Sequence, residues 1–81
     1  MSDYNVIGFV KLWSGTKAPD NWMFCNGQSL KVNSNTALFS IIGTEFGGDG
    51  RFTFDLPKLK AKENAQYIIC TTGEFPSRGN G

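Results

Sequence analysis

Residues 37–56, ALFSIIGTEFGGDGRFTFDL, place a short apolar helix, a glycine-rich reversal and an aromatic strand in immediate succession, and the fold is read outward from them. Leu38, Phe39, Ile41 and Ile42 recur at helical spacing, and Gly43 supplies a left-handed stop. Asn33, Ser34, Asn35 and Thr36 come just before, all with side chains able to accept the unpaired amide hydrogens of a helix start. Two helical turns are marginal alone in water, so the apolar stripe has to be held by a sheet. Gly47, Gly48 and Gly50 surround Asp49. A phosphate cradle would end in GK[ST] and open a helix, whereas here a strand follows. The glycines are therefore read as backbone devices that reverse the chain, with Asp49 bonding back to its own turn. Phe52, Phe54 and Leu56 then alternate, which places them on one face of the following strand.

Working outward, residues 6–13, VIGFVKLW, read as a strand with Val6, Val10 and Leu12 on one face and Ile7, Phe9 and Trp13 on the other. Both faces are largely apolar, which points to a central strand or a subunit contact. Residues 14–21 form a loop by composition. Residues 22–25 are a second short strand, and Asn26-Gly27 suits a two-residue type I′ hairpin returning through residues 28–32. Residues 66–72, QYIICTT, form the last strand, and their continuous apolar centre implies burial on both faces. After Pro57, Lys58, Lys60 and Lys62 alternate with Leu59 and Ala61. This pattern reads as an edge strand guarded by lysines, with a weak site for an anionic glycan or phosphate as the functional alternative. No repeat or linker divides the chain. The expectation is one α+β domain over residues 1–81, small and mostly antiparallel β with one short helix, its core spanning about residues 6–72 and a frayed tail at 73–81.

A chain of 81 residues buries only about 60 to 65% of the surface its unfolded form exposes, so its stability margin is thin. Eight basic and seven acidic side chains leave a formal charge of +1. That creates no field to draw the protein to nucleic acid or an anionic membrane. The apolar runs fall far short of the roughly 20 residues that span a bilayer, and MSDYNVIG lacks the basic and apolar regions of a signal peptide. Synthesis in the cytoplasm without a secretion signal is expected, with no membrane insertion. Cys25 and Cys70, in the apolar settings FCNG and IIC, read as buried thiols and permit at most one internal disulfide.

Histidine is absent, which removes nucleophile systems that rely on imidazole and the commonest zinc-ligand sets. The carboxylates are scattered, and nothing in their spacing favours a glycosidase pair such as Asp49 with Asp55. We expect no enzymatic activity, no catalytic or metal-binding residues and no cofactor. Trp13 and Trp22 flank a polar loop and read as core or interface packing. The binding alternative has them stacking a sugar, with Lys58, Lys60 and Lys62 as further ligand contacts.

Two longer motifs add a resemblance. APDNWMFCNG matches the pattern APxxWxxCxG, and LFSIIGTEFGGDGRFTFDLP matches LFxxIGTxFGGDGxxTFxLP. With Gly8 and Gly15, these residues closely resemble the phage tail collar domain, a family that includes collar regions of bacteriophage tail fibres and microcystin-dependent-type proteins. The resemblance runs over about residues 7–57, and Trp22, Cys25, Gly27, Gly43, Gly47, Gly48, Asp49, Gly50, Leu56 and Pro57 are its structural motif residues. The closing YIICTTGEFPSR also looks like the end of longer members. Where the family continues LPDLRGR into a long glycine-rich insertion with histidines near its end, this chain has LPKLKAKENAQ. Lys58, Lys60 and Lys62 thus stand where Asp and Arg are usual. The resemblance implies a collar-like structural or adaptor module of a phage tail, tail fibre or phage-derived injection apparatus. It further implies residence in a virion or tail-like particle, a homotrimer because such fibres are three-fold, and other tail, fibre or baseplate proteins as partners. A receptor- or glycan-binding tip for host attachment is the alternative.

Overall fold

The structure, a computed structural model, describes residues 5–76. Its strands are β1 (Val10–Trp13), β2 (Trp22–Phe24), β3 (Ser29–Lys31), β4 (Thr53–Asp55) and β5 (Gln66–Cys70). One α-helix, α1 (Thr36–Ile42), follows a single 3-10 turn at Val32–Ser34. The strands form two antiparallel sheets, β1-β5-β2 and β3-β4. This is the expected α+β class, mostly antiparallel with one short helix.

The last strand is the centre of the larger sheet. Val10 faces Ile69 across one ladder and Trp22 faces Cys70 across the other. Successive β5 side chains point to opposite faces, so Ile69 enters one core while Ile68 and Cys70 enter another. All three are buried, as the continuous apolar run of this strand implies.

The first core joins Ile69 to Ile7, Cys25, Leu38, Phe54 and Leu56, with Leu30, Phe39, Ile41 and Ile42 packed at its margin. Here α1 meets the sheet. Leu38 has no exposed surface, and the Phe39 and Phe54 rings lie 5.2 Å apart. Each large apolar side chain so buried stabilises the fold by about 1.5–3 kcal/mol. The second core is smaller, with Trp22, Ile68 and Cys70 bordered by Trp13, Ala18 and Phe24.

Several local expectations are corrected. Residues 6–9 do not extend β1. They form a turn closed by the Phe9 N–H donating to Val6 O, 3.0 Å, with Gly8 at φ 90°. Gly8 donates to Cys70 O while Cys70 donates to Phe9 O, so two residues oppose one in a bulge with glycine first. The bulge shifts the alternation, and Ile7 therefore joins the core beside Val10 instead of following Trp13.

Nor does Asn26-Gly27 close a hairpin. Asn26 has negative φ, β2 pairs with β5, and β3 pairs with β4. The pairing that wins is tertiary: Cys25 donates to Tyr67 O, 2.9 Å, and Gly27 donates to Pro57 O, 3.2 Å.

At the helix start, Asn35 occupies the cap position, but its side chain donates to Lys31 O, 3.0 Å, rather than accepting from the first turn. Gly43 ends α1 at φ 55° and ψ −142°, outside the left-handed helical basin although φ is positive. Phe52 falls before β4 and is 68% exposed, so only Phe54 and Leu56 of the expected face are buried.

Residues 58–62 make two isolated bridges, Asn26 to Lys58 and Lys62 to Ala65, and no strand. The start of the expected frayed tail is fastened: Glu74 bridges Val6 in parallel, accepts from Ile7 N–H and donates to Asn5 O. The rest of that tail, residues 77–81, lies outside the described residues.

Candidate functional site

The glycine-rich reversal positions β4, and through it the main core. A single Asp49 carboxylate oxygen, Oδ1, accepts the backbone N–H groups of Arg51, Phe52 and Thr53 at 2.8–3.0 Å. These donors, Thr53 foremost, hold the carboxyl down to about 2. The expected bond from Asp49 back to its own turn is thus present three times over. Gly48, at φ 98°, lies against the β4 backbone. A Cβ there would collide with Phe54 Cα and stand 2.7 Å from Thr53 O. The loop is filled by its own chain and leaves no cradle for a phosphate.

The second surface is the face of the larger sheet around Trp22. The Trp22 indole is 7% exposed and donates through Nε1 to Asn5 Oδ1, 3.2 Å. The Lys11 ammonium lies 4.5 Å from the centre of its ring, and the Phe9 ring meets it edge-on at 6.5 Å. A ring so covered has no face left for a sugar. Trp13 is half-buried in the same cluster and donates through Nε1 to Lys17 O, 2.8 Å.

The two edges of this sheet differ. On β2, the outward Trp22 N–H is taken by Pro19 O, 3.1 Å, and the outward Phe24 O accepts from Gln28 Nε2, 3.3 Å. On β1, the antiparallel alternation that starts at the Phe9 and Cys70 pair turns the backbone groups of Val10 and Leu12 away from β5. No neighbouring strand lies beyond them among the described residues. Phe9, just before this strand, and Leu12 within it are 53% and 47% exposed, and Phe75, next to the Val6 to Glu74 bridge, is exposed too. The apolar faces of residues 6–13 are compatible with a central strand or a subunit contact; β1 is an edge strand of its sheet, and β5 is the central one.

The third surface is a cleft of about 420 Å³ beside residues 58–61. Leu59 N–H donates to Cys25 O, 3.0 Å, which together with the Gly27 and Asn26 contacts lays this segment antiparallel to residues 25–27. Lys58, Lys60, Asn26, Gln66, Tyr67, Leu59 and Cys25 line the cleft. Lys62 is elsewhere. The turn of residues 62–65 carries it to a neighbouring depression shared with Trp13. The residues expected to contact a ligand are thereby divided: Lys58 with Lys60, Lys62 with Trp13, and Trp22 inside the core.

Cys25 and Cys70 are buried free thiols in different clusters. Burial pushes Cys25 up to about 11 and raises Cys70 as well. Among the described residues no group of three or more His, Cys, Asp and Glu side chains is placed to hold a metal, and no helix is long and apolar enough to cross a membrane.

Residues 8–63 match the family model of the phage tail collar domain. The chain belongs to that family. The collar match takes in β1 to β4, α1 and the glycine turn, and stops short of β5, so the central strand of the larger sheet is supplied from beyond it. A comparison with curated proteins finds no match. Membership of the collar family carries a structural role in the phage tail fibre and association with other phage tail proteins.

Proposed function

We propose that this collar domain is a non-enzymatic, oligomeric building block or adaptor of a phage tail, tail fibre or phage-derived injection apparatus, and that copies meet along β1. The observation that carries the reading is the contrast between the two edges of one sheet. The β2 edge is closed by Pro19 and Gln28, while the β1 edge has outward Val10 and Leu12 backbone groups beside exposed Phe9 and Leu12 side chains. An open apolar edge invites pairing with another chain, and a monomer would ordinarily blunt it with proline or charge. Lys11 cannot serve as that guard, because its ammonium is folded over Trp22. The three-fold symmetry of tail fibres makes a trimer the expected state.

Light scattering on the purified protein tests this. The wild type is expected to give the mass of a trimer. Leu12→Glu is expected to give a monomer while shifting stability by less than about 0.5 kcal/mol, as surface substitutions usually do. A wild type that stays monomeric at high micromolar concentration, or an unchanged assembly in Leu12→Glu, contradicts the reading.

A further inference from the structure

We infer that the cleft between residues 58–61 and the start of β5 is a binding site for an acidic sugar, a pyranose carrying a carboxylate or phosphate group. Its two charged lining side chains, Lys58 and Lys60, are both cationic, and no carboxylate lines it. An anion entering the cleft thus meets two lysine side chains and no opposing charge among the lining residues, and charge-assisted hydrogen bonds to such cations are the stronger kind. Gln66 adds a carboxamide that both donates and accepts, and Asn26, whose Oδ1 already accepts from Gln28 N–H at 3.2 Å, adds an amide donor, the chemistry a ring of hydroxyl groups needs. Leu59 and the half-buried Tyr67 supply apolar wall for the C–H face of a sugar ring.

The frame is built rather than incidental. Two backbone hydrogen bonds, Gly27 N–H to Pro57 O and Leu59 N–H to Cys25 O, fix residues 57–59 against residues 25–27, and the Lys58 stem lies across Gly27, where a Cβ would stand 3.3 Å from Lys58 Cβ. A cleft of about 420 Å³ falls in the range of about 300–1,000 Å³ typical of small-ligand sites. Lys62 and both tryptophans take no part in it. The site is independent of β1, so it neither requires nor follows from assembly along that edge.

The experiment is a titration of the full chain with galacturonate, glucose 6-phosphate, glucose and inorganic phosphate, read from the side-chain amide NMR signals of Asn26 and Gln66. Millimolar binding of one or both acidic sugars is expected, with glucose and inorganic phosphate each binding more weakly. The sugar that binds tighter identifies a carboxylate or a phosphate as the acidic group. The double variant Lys58→Gln with Lys60→Gln should weaken binding about tenfold, and Lys62→Gln should leave it unchanged. Gly27→Ala, which presses on the Lys58 stem, should weaken it as well. No movement of the Asn26 and Gln66 signals with either acidic sugar overturns the proposal. Equal binding of inorganic phosphate and glucose 6-phosphate, or an equal effect of Lys62→Gln, overturns it too.

Discussion

The two faces of the β1-β5-β2 sheet are built from the same strands and finished in different ways. One face is closed by α1, β3 and β4, which bring Leu38, Phe54 and Leu56 onto Ile69. The other has no layer laid over it among the described residues: Ile68 and Cys70 are covered by Trp22, Trp13 and Phe24 of the same sheet and by Ala18 of the loop between β1 and β2. A single alternation along β5 feeds both. The closed face is therefore where the fold is held, and the thin face and its open edge are where surface is left over for other molecules.

The largest effect is expected where the closed face is set in place. Gly48→Val drives a side chain into the Phe54 backbone, which has no flexible end to yield. We expect a loss of at least about 3 kcal/mol, seen as a collapsed urea midpoint. Unchanged melting would mean that the turn does not position β4.

A paired truncation sharpens the contrast. Phe54→Ala, in the closed face, should cost about 3–5 kcal/mol, whereas Trp13→Ala, at the margin of the thin face, should cost about 1–2 kcal/mol in the isolated monomer. Equal costs in urea titration would show that the two faces are equally closed.

A smaller effect follows from Asp49. Its carboxyl is held at about 2 instead of 3.8, so its contribution is complete above the ordinary value and is lost as pH falls through the lower one. Melting temperature should decline over that acid interval, and Asp49→Asn should flatten that part of the profile. A variant with the same acid limb as the wild type would remove Asp49 as its cause. The thiols give the opposite sign. Cys25 favours the fold while neutral, and that contribution fades as pH rises from 9 towards 11. Native protein should accordingly react slowly with thiol reagents at neutral pH, and unfolded protein fast.

The closed face was legible in the residues because its signals are local. The spacing of Leu38, Phe39, Ile41 and Ile42 specifies the helix, and the short glycine turn throws the chain straight into Phe54 and Leu56. The long-range pairing was not legible, because tertiary contacts overrode local preference. Asn26-Gly27 favours a hairpin in isolation, but Cys25 finds Tyr67 and Gly27 finds Pro57 at long range. Gly8 lies within an apolar run that reads as continuous strand, and its bulge shows only once Cys70 lies opposite. The tryptophans were equally ambiguous: nothing in the chain order says that Lys11 will cover Trp22 or that Asn5 will take its indole hydrogen. The alternation of Lys58, Lys60 and Lys62 reads first as a guarded edge strand, with an anion site as the alternative, and it forms no strand. The separation of Lys58 and Lys60 from Lys62 depends on the turn at residues 62–65, which carries no strong turn signature.

The claim that β1 is the edge left open for assembly is tested most directly by amide hydrogen exchange at Val10 and Leu12 over a range of protein concentrations. The account predicts that exchange at these two amides slows as concentration rises, while the amides of Thr53–Asp55 in β4 keep their rates. Val10 and Leu12 exchanging at one fast rate throughout, with the mass of the particle rising all the same, would contradict it and move the contact to another surface.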